Sequence, residues 1–343
     1  MKKLKAGVIG LWGHTDYAEA LVRHPLVVPV GAATGPGSAP EQTRSFAEAH
    51  GLPFFPDYGS LVRSAAPDVC IVMTPGKDAP PVVAHLAEKG IHVLSEKPIA
   101  GDIAGAKQIA QAVRRHGIVY GACFPLPKYT TAYRDAKWCV DNGRLGTPLA
   151  ANFTYLASHG PLFLAGEPHY RDRNLPGEGL SGGEMAMFSG YGVLALQWLT
   201  GQRITRVFTT TGTFFYDEYR RMRMEDLGHV CLDFEHGAKG SLLLGRTPAQ
   251  SEPTRIETDL TGTTGNISIK SKTQTVTVYE KDGRKEYEAE NNGPQWLVDD
   301  FVRAAADRKE PFLTLQECLD TISVLDAVYQ SAQSRRPENI TEI

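Results

Sequence analysis

The segment Ala6-Gly-Val-Ile-Gly-Leu-Trp-Gly-His-Thr-Asp16 decides the fold of the N-terminal half of the chain. Its first four residues predict a buried strand, because they are small or apolar on both faces, and Gly10 ends that strand. The glycine-rich turn that follows leads into a helix, which we predict over Asp16–Arg23. A buried strand, a glycine turn and a helix are the opening elements of a doubly wound α/β domain.

The same alternation of strand and helix continues to residue 122. Apolar strands are predicted over 26–33, 67–73, 91–94 and 118–121, with helices near 40–50, 79–89 and 103–116. Gly90 suits the C-terminal cap of the helix before it. Strands that are apolar on both faces and separated by helices imply a parallel sheet covered on both sides. We therefore predict a Rossmann-type, doubly wound parallel domain over residues 1–122.

After residue 122 the pattern changes. We predict a helix over Leu126–Asp141, a strand over 148–158, a long polar loop over 159–183 and a helix over Glu184–Leu199. Strands follow at 204–215, 228–235, 238–246, 254–261, 265–270 and 274–279, and helices at 294–308 and 315–332 close the chain. This order predicts an α+β domain over 123–343 with a large, mostly antiparallel open sheet. We expect the final helices to pack back on the first domain.

Composition argues against several classes of protein. The chain has 36 Lys and Arg against 39 Asp and Glu, a formal charge of −3 without a basic block, so neither nucleic acid nor an anionic membrane is an expected partner. No apolar stretch reaches the roughly 18 residues of a membrane span. The five cysteines are scattered and include no CxxC pair. They predict a reducing, cytoplasmic environment rather than a disulfide framework or a zinc site.

The first turn is a damaged version of the pyrophosphate-binding fingerprint G-x-G-x-x-G. In that fingerprint, glycines let the backbone approach a pyrophosphate, whose charge the helix N-terminus attracts. Gly10 and Gly13 take two glycine positions, but Trp12 stands where the second glycine is expected, and His14 follows. An indole there crowds a pyrophosphate unless the turn takes another course. We predict that these four residues line a cofactor site; the alternative is a turn that only joins strand to helix.

The end of the second strand bears on the choice of dinucleotide. An Asp or Glu at this place binds the ribose 2′-hydroxyl of NAD, but the chain reads Ala32-Ala-Thr-Gly35. The missing carboxylate favours NADP over NAD, with Thr34, Ser38 or Arg44 near the 2′-phosphate. It is equally consistent with no bound dinucleotide.

The segment Ser95-Glu-Lys-Pro98 after the fourth strand, with Thr74-Pro75 after the third and the glycines at 182–183, carries a resemblance. Together these segments resemble the Gfo/Idh/MocA family of glucose–fructose oxidoreductase and inositol dehydrogenase relatives, over nearly the whole chain. The resemblance implies that Lys97 reaches toward the reacting hydroxyl and the nicotinamide, that Thr74 and Pro75 line the nicotinamide, and that Glu96 supports Lys97. An ammonium there polarises a substrate oxygen and helps to release its proton. The alternative is a surface lysine.

The family's second catalytic segment has Gly-Gly, then Asp, then His four residues later, at a helix start. Anchored on the glycines, the Asp and His positions hold Phe188 and Gly192; anchored on Trp198-Leu-Thr-Gly201, they hold Met187 and Tyr191. We prefer the second alignment, because relatives resembling dihydrodiol dehydrogenase place tyrosine at the histidine position. Tyr191 is then a candidate acid/base group. Under either alignment the family's carboxylate is absent.

Glu184, at the start of the same helix, suits the helix dipole and is predicted to be structural first and a catalytic carboxylate second. The loop before it holds further candidates: His159, His169, Tyr170, Arg171 and Arg173. The two histidines are candidate general bases. The arginines are candidate clamps for a carboxylate or phosphate because their donors are forked, and Tyr170 is a candidate substrate contact. The alternative is a solvated polar lid. A metal site from His159, Glu167 and His169 lacks a helical i, i+4 pair, so none is predicted.

The resemblance implies an NAD(P)-dependent oxidoreductase that acts on a hydroxyl of a small polyol, sugar or related alcohol. It also implies a homodimer or homotetramer, since the open sheet face commonly forms a dimer in the family. The missing Asp and His leave two alternatives on the same fold, a redox-neutral lyase or hydrolase and a non-catalytic ligand-binding protein.

Overall fold

The computed structural model describes residues 3–124, 127–158, 183–247, 254–281, 283–288 and 293–343. The chain forms two compact units. The first contains the residues up to Phe124 together with Pro294–Ile322 and Ile343, and the second contains the residues from there to Gly293 together with Ser323–Glu342. Within the described ranges, no helix has the length and apolar character needed to cross a lipid bilayer.

The first unit is built on one parallel sheet. Its strands are β1 (Leu4–Ile9), β2 (Val27–Ala33), β3 (Phe54–Phe55), β4 (Val69–Val72), β5 (His92–Ser95) and β6 (Tyr120–Ala122). The connecting helices are α1 (Thr15–Val22), α2 (Pro40–Ala49), α3 (Tyr58–Ala65), α4 (Ala79–Glu88) and α5 (Ile103–His116). The strand order β3-β2-β1-β4-β5-β6 is that of the doubly wound dinucleotide-binding fold. The predicted Rossmann sheet is confirmed.

Local sequence explains why these elements form where they do. The four side chains of β4 have no exposed surface, as expected of a strand buried on both faces. Helix α5 begins where the Asp102 carboxylate accepts the Gly105 N–H at 2.7 Å, and it ends at Gly117 in the left-handed conformation. The strand order reverses between β1 and β4. In such sheets, the crevice at the carboxyl ends of the strands on either side of this reversal is the usual ligand site.

The second unit is built on a mostly antiparallel sheet. Its strands are β7 (Pro148–Ala157), β8 (Ile204–Gly212), β9 (Leu227–Phe234), β10 (Lys239–Arg246), β11 (Arg255–Gly262), β12 (Gly265–Lys270), β13 (Thr275–Glu280) and β14 (Gly283–Glu288). Its helices are α6 (Thr131–Asp141), α7 (Glu184–Thr200) and α8 (Asp217–Arg221). The chain closes with α9 (Gly293–Asp307), α10 (Leu315–Ser334) and β15 (Glu338–Asn339).

The strand order of this sheet is β14-β13-β12-β11-β7-β10-β9-β8-β15, and among these neighbours β7 and β10 run parallel while the others run antiparallel. Helix α7 packs on β7, β9 and β10. The predicted large, open and mostly antiparallel sheet is confirmed.

Several predicted boundaries differ from the structure for local reasons. The helix predicted from Leu126 begins at Thr131, because the backbone of Thr130 is extended (φ −122°, ψ 142°). The strand predicted to residue 215 ends at Gly212, because the next amides turn toward the Asp226 carboxylate. The short elements α3, α8, β3, β14 and β15 were not predicted, since none carries a long periodic pattern.

Candidate cofactor and active site

Gly10 and Gly13 give the turn after β1 a backbone that other residues rarely adopt, with φ of +71° and +87°. A Cβ added at Gly10 would lie 2.4 Å from the Met73 carbonyl oxygen and from the Ser38 hydroxyl. A Cβ added at Gly13 would lie 2.8 Å from the Glu96 carboxylate carbon. The Ser38 hydroxyl donates to the Met73 carbonyl at 3.3 Å, and both groups pack against Gly10.

Trp12 is part of the packed turn. Its N–H donates to the Met73 carbonyl at 3.0 Å, and only 9% of the residue is exposed. Helix α1 begins directly after His14, whose imidazole does not cap the first amides of the helix. The Tyr17 N–H donates to the His14 carbonyl at 3.3 Å. Helix N-termini in general can bind an anion through their first amides.

The His14 imidazole binds Glu96 instead. Its Nδ1 lies 2.7 Å from Glu96 Oε1, and the two side chains are 42% and 1% exposed. Glu96 follows β5 directly, and its N–H donates to the Val72 carbonyl at 2.8 Å, which fixes the backbone beneath the glycine turn. A buried carboxylate is thus held under the turn by a partly exposed imidazole.

Three buried oxygens at the carboxyl ends of β2, β4 and β5 have no hydrogen-bond partner among the described residues. They are Thr34 Oγ1, Thr74 Oγ1 and Glu96 Oε2. A buried polar atom without a partner is costly, so such a set indicates a place where a ligand supplies the missing hydrogen bonds. With β1 between β2 and β4, these strands are consecutive in the sheet. The hydroxyl and amide groups of a dinucleotide fit this set, and the position is the usual one in this fold.

Lys97 follows Glu96 and is only 3% exposed, so the alternative of a surface lysine is wrong. Its charge acts on the neighbouring Cys123 thiol. Burial raises the pKa of Cys123 well above its ordinary value and the Glu96 charge adds to this, while Lys97 opposes both. The loop between β4 and α4 contains Thr74 and Pro75, both buried, and the Pro75 carbonyl accepts the Asp78 N–H at 2.8 Å.

In the second unit, Tyr191 lies on α7 within a stack of aromatic rings and is 5% exposed. Its ring centroid is 5.9 Å from that of Tyr155, which in turn stacks on Phe188 at 4.0 Å. Burial raises the pKa of the Tyr155 hydroxyl, and the Arg246 charge opposes the shift. Gly192 lies on the face of α7 that packs against the sheet, because a Cβ added there would lie 2.7 Å from side-chain atoms of both Phe153 and Leu242.

A buried ion pair fixes the start of α7. Arg246 Nε donates to Glu184 Oε1 at 2.7 Å, and both residues are 2% exposed or less. Tyr219 donates to the same carboxylate oxygen and accepts from Arg246 at 3.2 Å. Burial alone would lower the pKa of Arg246, but Glu184 and Tyr219 together raise it, so the guanidinium stays charged. This arrangement matches the structural role predicted first for Glu184.

A second set of contacts reinforces the same helix start. Glu225 Oε1 accepts the Met185 N–H at 3.0 Å and the Tyr329 hydroxyl at 2.9 Å, and that hydroxyl accepts the Ala186 N–H at 3.2 Å. Burial raises the pKa of the Glu225 carboxyl. Sequence reasoning missed Glu225, Arg246 and Tyr219. The one local signal was Arg246 itself, a charged residue at the end of the apolar strand β10.

The remaining predicted site residues lie outside the described residues: His159, Glu167, His169, Tyr170, Arg171 and Arg173. Their predicted roles as general bases, substrate contacts and anion clamps stay predictions. Over the described part of the chain, no three or more His, Cys, Asp or Glu side chains are grouped so that they could hold a metal ion.

The strand order of the first sheet, its glycine turn and the buried oxygens beside it define the class of Rossmann-type dinucleotide-binding domains. Comparison with protein families agrees. Residues 4–124 match the model of the oxidoreductase family with an NAD-binding Rossmann fold, and residues 133–268 match the GFO/IDH/MocA C-terminal domain. The chain belongs to the Gfo/Idh/MocA oxidoreductase family.

Among curated relatives, the chain is similar to the uncharacterized oxidoreductase YrbE of Bacillus subtilis, with 24% identity over 226 residues, 66% of this chain and 62% of the relative. It is also similar to the scyllo-inositol 2-dehydrogenase (NAD(+)) of the same organism, with 24% identity over 212 residues, 59% of this chain and 55% of the relative. The matches thus span less than two thirds of the length of these relatives.

A solved structure shows the same fold over nearly the whole chain. The scyllo-inositol dehydrogenase from Lactobacillus casei, solved with bound cofactor NAD(H) and scyllo-inositol, superposes with a TM-score of 0.80 at 20% identity. The match covers 98% of this chain and 99% of that one.

Proposed function

We propose that the protein is an NAD(P)-dependent oxidoreductase that acts on a hydroxyl group of a small polyol, sugar or related alcohol. The observation that carries the proposal is the set of unpartnered buried oxygens on Thr34, Thr74 and Glu96, placed beside the glycine turn where the strand order reverses. Family membership supports it, and the inositol dehydrogenase activity named for one relative supports a polyol as substrate.

Lys97 is the residue that we assign to the reacting hydroxyl. A buried ammonium attracts electron density from a substrate oxygen and favours departure of its proton, because the surroundings screen its charge less than water does. The nicotinamide, when bound, supplies the hydride acceptor or donor. Thr74 and Pro75 would line its side of the pocket, and Glu96 would bind a cofactor hydroxyl through its unpartnered oxygen.

Tyr191 is proposed as a second proton-transfer group. Position 192, the histidine position of the other alignment, packs directly on Phe153 and Leu242, so a larger side chain there would have to displace them. This packing supports the alignment that places Tyr191 at the family's histidine position.

For Tyr191→Phe we expect turnover to fall by roughly a hundredfold or more, because the hydroxyl that exchanges the proton is lost. Steady-state kinetics of polyol oxidation measures this. Tyr133→Phe is the matched control, since Tyr133 is also buried in the second unit and its hydroxyl bonds Thr258 at 2.8 Å. Turnover that is unchanged in Tyr191→Phe would remove the tyrosine from the mechanism.

We propose NADP as the preferred cofactor. The end of β2 carries no carboxylate, and Thr34 Oγ1 is buried without a partner among the described residues. Arg44 on α2 lies 4.3 Å from the centroid of the Phe54 ring on β3, and no carboxylate in the described ranges forms an ion pair with it. A guanidinium so placed suits a 2′-phosphate.

Arg44→Ala is expected to weaken NADPH binding by about tenfold or more while NADH binding changes little, because only NADPH carries the phosphate. Fluorescence titration of both cofactors measures the two Kd values. Arg114→Ala, on α5, removes an exposed arginine that bonds Gln316 and should alter neither. Equal weakening of NADH and NADPH in Arg44→Ala would contradict the assignment.

The missing family carboxylate favours a second candidate, a redox-neutral lyase or hydrolase that keeps a bound dinucleotide without net turnover of it. Net NAD(P)H formation from a polyol separates the two, because the second candidate forms none.

We also propose a homodimer or homotetramer that uses the open sheet face. On that face Phe208 of β8 and Cys231 of β9 are exposed and pair with each other across the strands.

A further inference from the structure

The imidazole of His92, at the start of β5, supplies a hydrogen bond that joins this strand to the chain entering β6. Val119 directly precedes β6, and its carbonyl accepts the Val93 N–H at 3.0 Å. The Val119 N–H donates to His92 Nδ1, also at 3.0 Å, instead of to a backbone carbonyl. His92 and Val119 are 6% and 7% exposed. Because a buried amide needs a partner, this side chain acts as part of the sheet.

The direction of this bond fixes the protonation state of the ring. Nδ1 accepts an N–H and therefore carries no proton, so the native imidazole is neutral with its hydrogen on Nε2. An imidazolium carries a hydrogen on both nitrogens and accepts no hydrogen bond. Protonation of His92 therefore breaks the bond and leaves the buried Val119 N–H facing a second N–H, which is costly.

The surroundings of His92 also disfavour its charged form. Burial lowers the pKa of the imidazole, and the Arg308 guanidinium, just after α9, lowers it further, while the Asp68 carboxylate opposes both. Asp68 directly precedes β4, and its carboxylate accepts the Lys5 N–H at 2.8 Å. Among the described residues, Asp68 and Arg308 are the two charged groups that act on this ring. Their charges are opposite, so they do not offset the cost of burying an imidazolium.

We propose that His92 makes the pairing of β5 and β6 sensitive to acid, because its imidazole holds the Val119 amide only while it is neutral. Strand β5 leads directly into Glu96 and Lys97, so loss of this bond loosens the strand that precedes both proposed site residues. The inference goes beyond the proposed function and does not depend on it, since it concerns the folding equilibrium and is measured without a cofactor.

Acid should favour unfolding through this residue. A histidine in an unfolded chain takes up a proton near pH 6.5, whereas the native imidazole of His92 takes one up only at lower pH. Between these two values the unfolded state binds more protons, so a fall in pH shifts the equilibrium toward it. The stabilisation is present in full above about pH 7.5 and is lost as the pH falls through about 6.5. One proton allows the unfolding equilibrium constant to rise at most about tenfold per pH unit.

Urea denaturation of the full chain at about pH 7.5 and about pH 5.5 tests the proposal. His92→Gln keeps a side-chain acceptor for the Val119 amide but does not titrate. Between the two pH values, we expect the unfolding equilibrium constant of the wild-type protein to rise by up to about tenfold more than that of His92→Gln. His116→Gln is the matched control. His116 is an exposed histidine at the end of α5 in the same unit, and its variant should keep the wild-type pH dependence.

Amide hydrogen exchange gives a second, local readout, once the rates are corrected for the intrinsic effect of pH on exchange. In the wild-type protein, protection of the segment 117–122 should fall between about pH 7.5 and about pH 5.5 by up to about tenfold more than that of the segment 27–33. The second segment contains β2, which is separated from β5 by β1 and β4. In His92→Gln the two segments should respond alike. The wild-type comparison needs no variant, so it decides the proposal even if His92→Gln does not fold.

Three results would overturn the role of His92. The first is an equal pH dependence of stability in the wild-type protein and His92→Gln. The second is a loss of protection in the segment 117–122 that is no larger than that in the segment 27–33. The third is disappearance of the acid response in His116→Gln, which would assign the response to another histidine. All three leave the oxidoreductase proposal intact, because none of these measurements involves a cofactor or a substrate.

Discussion

Lys97→Ala is expected to lower turnover by roughly 10²–10⁴-fold while the Kd for the dinucleotide changes little. Lys97 is 3% exposed as a whole residue, and it directly follows Glu96, whose carboxylate lies against the glycine turn. We assign it to the substrate oxygen, so its loss removes stabilisation that develops only as the hydroxyl proton leaves. Steady-state kinetics with scyllo-inositol, or another polyol that the wild-type protein oxidises, measures the change.

Two companion variants sharpen this prediction. Lys97→Arg keeps the positive charge near the substrate oxygen, so it should retain part of the turnover that Lys97→Ala loses, although its planar, forked head group is larger than an ammonium. Lys107→Ala removes an exposed lysine of α5 and should retain wild-type turnover. Turnover of Lys97→Ala within a few-fold of wild type would contradict the assignment of this lysine.

Arg246→Met is expected to lower the free energy of unfolding by about 3–5 kcal/mol, because it leaves the buried Glu184 carboxylate without its cation. The pair is among the most deeply buried charged groups of the second unit, and Tyr219 completes it. Urea denaturation followed by circular dichroism measures the loss.

The double variant Glu184→Leu with Arg246→Met separates charge from packing. Replacing both partners by apolar side chains is expected to recover much of the stability, because no buried charge remains. Arg255→Met is the surface control. Its pair with Glu257 spans 2.9 Å with the arginine 53% exposed, so the cost should stay below about 1 kcal/mol. A similar small loss in Arg246→Met would show that the buried pair contributes little.

The fold followed from the sequence because its signals are local. Strands such as β4, which is apolar on both faces, indicate a parallel sheet covered by helices. The glycines at 10 and 13 mark a turn whose backbone other residues rarely adopt, even though Trp12 breaks the usual spacing. Lys97 was predicted as a site residue because the segment that contains it resembles a family motif. Its burial is inconsistent with a solvent-exposed surface lysine.

The rest of the site depends on contacts between residues far apart in the chain. Glu184 and Arg246 are 62 residues apart, and His14 and Glu96 are 82 apart. The sequence around each of these residues does not indicate which distant residue it will contact. The same holds for Asp226, whose carboxylate accepts hydrogen bonds from the amides of Phe214 and Phe215. These bonds turn the backbone away from the sheet, so β8 ends earlier than the apolar pattern predicts.

The central claim is that the turn between β1 and α1 binds a dinucleotide although Trp12 occupies a glycine position. Stability against urea with and without saturating NADPH or NADH tests it most directly. At a hundredfold excess over Kd, we expect a gain of about 2.7 kcal/mol with at least one of the two cofactors. No gain with either cofactor at millimolar concentration would contradict the claim.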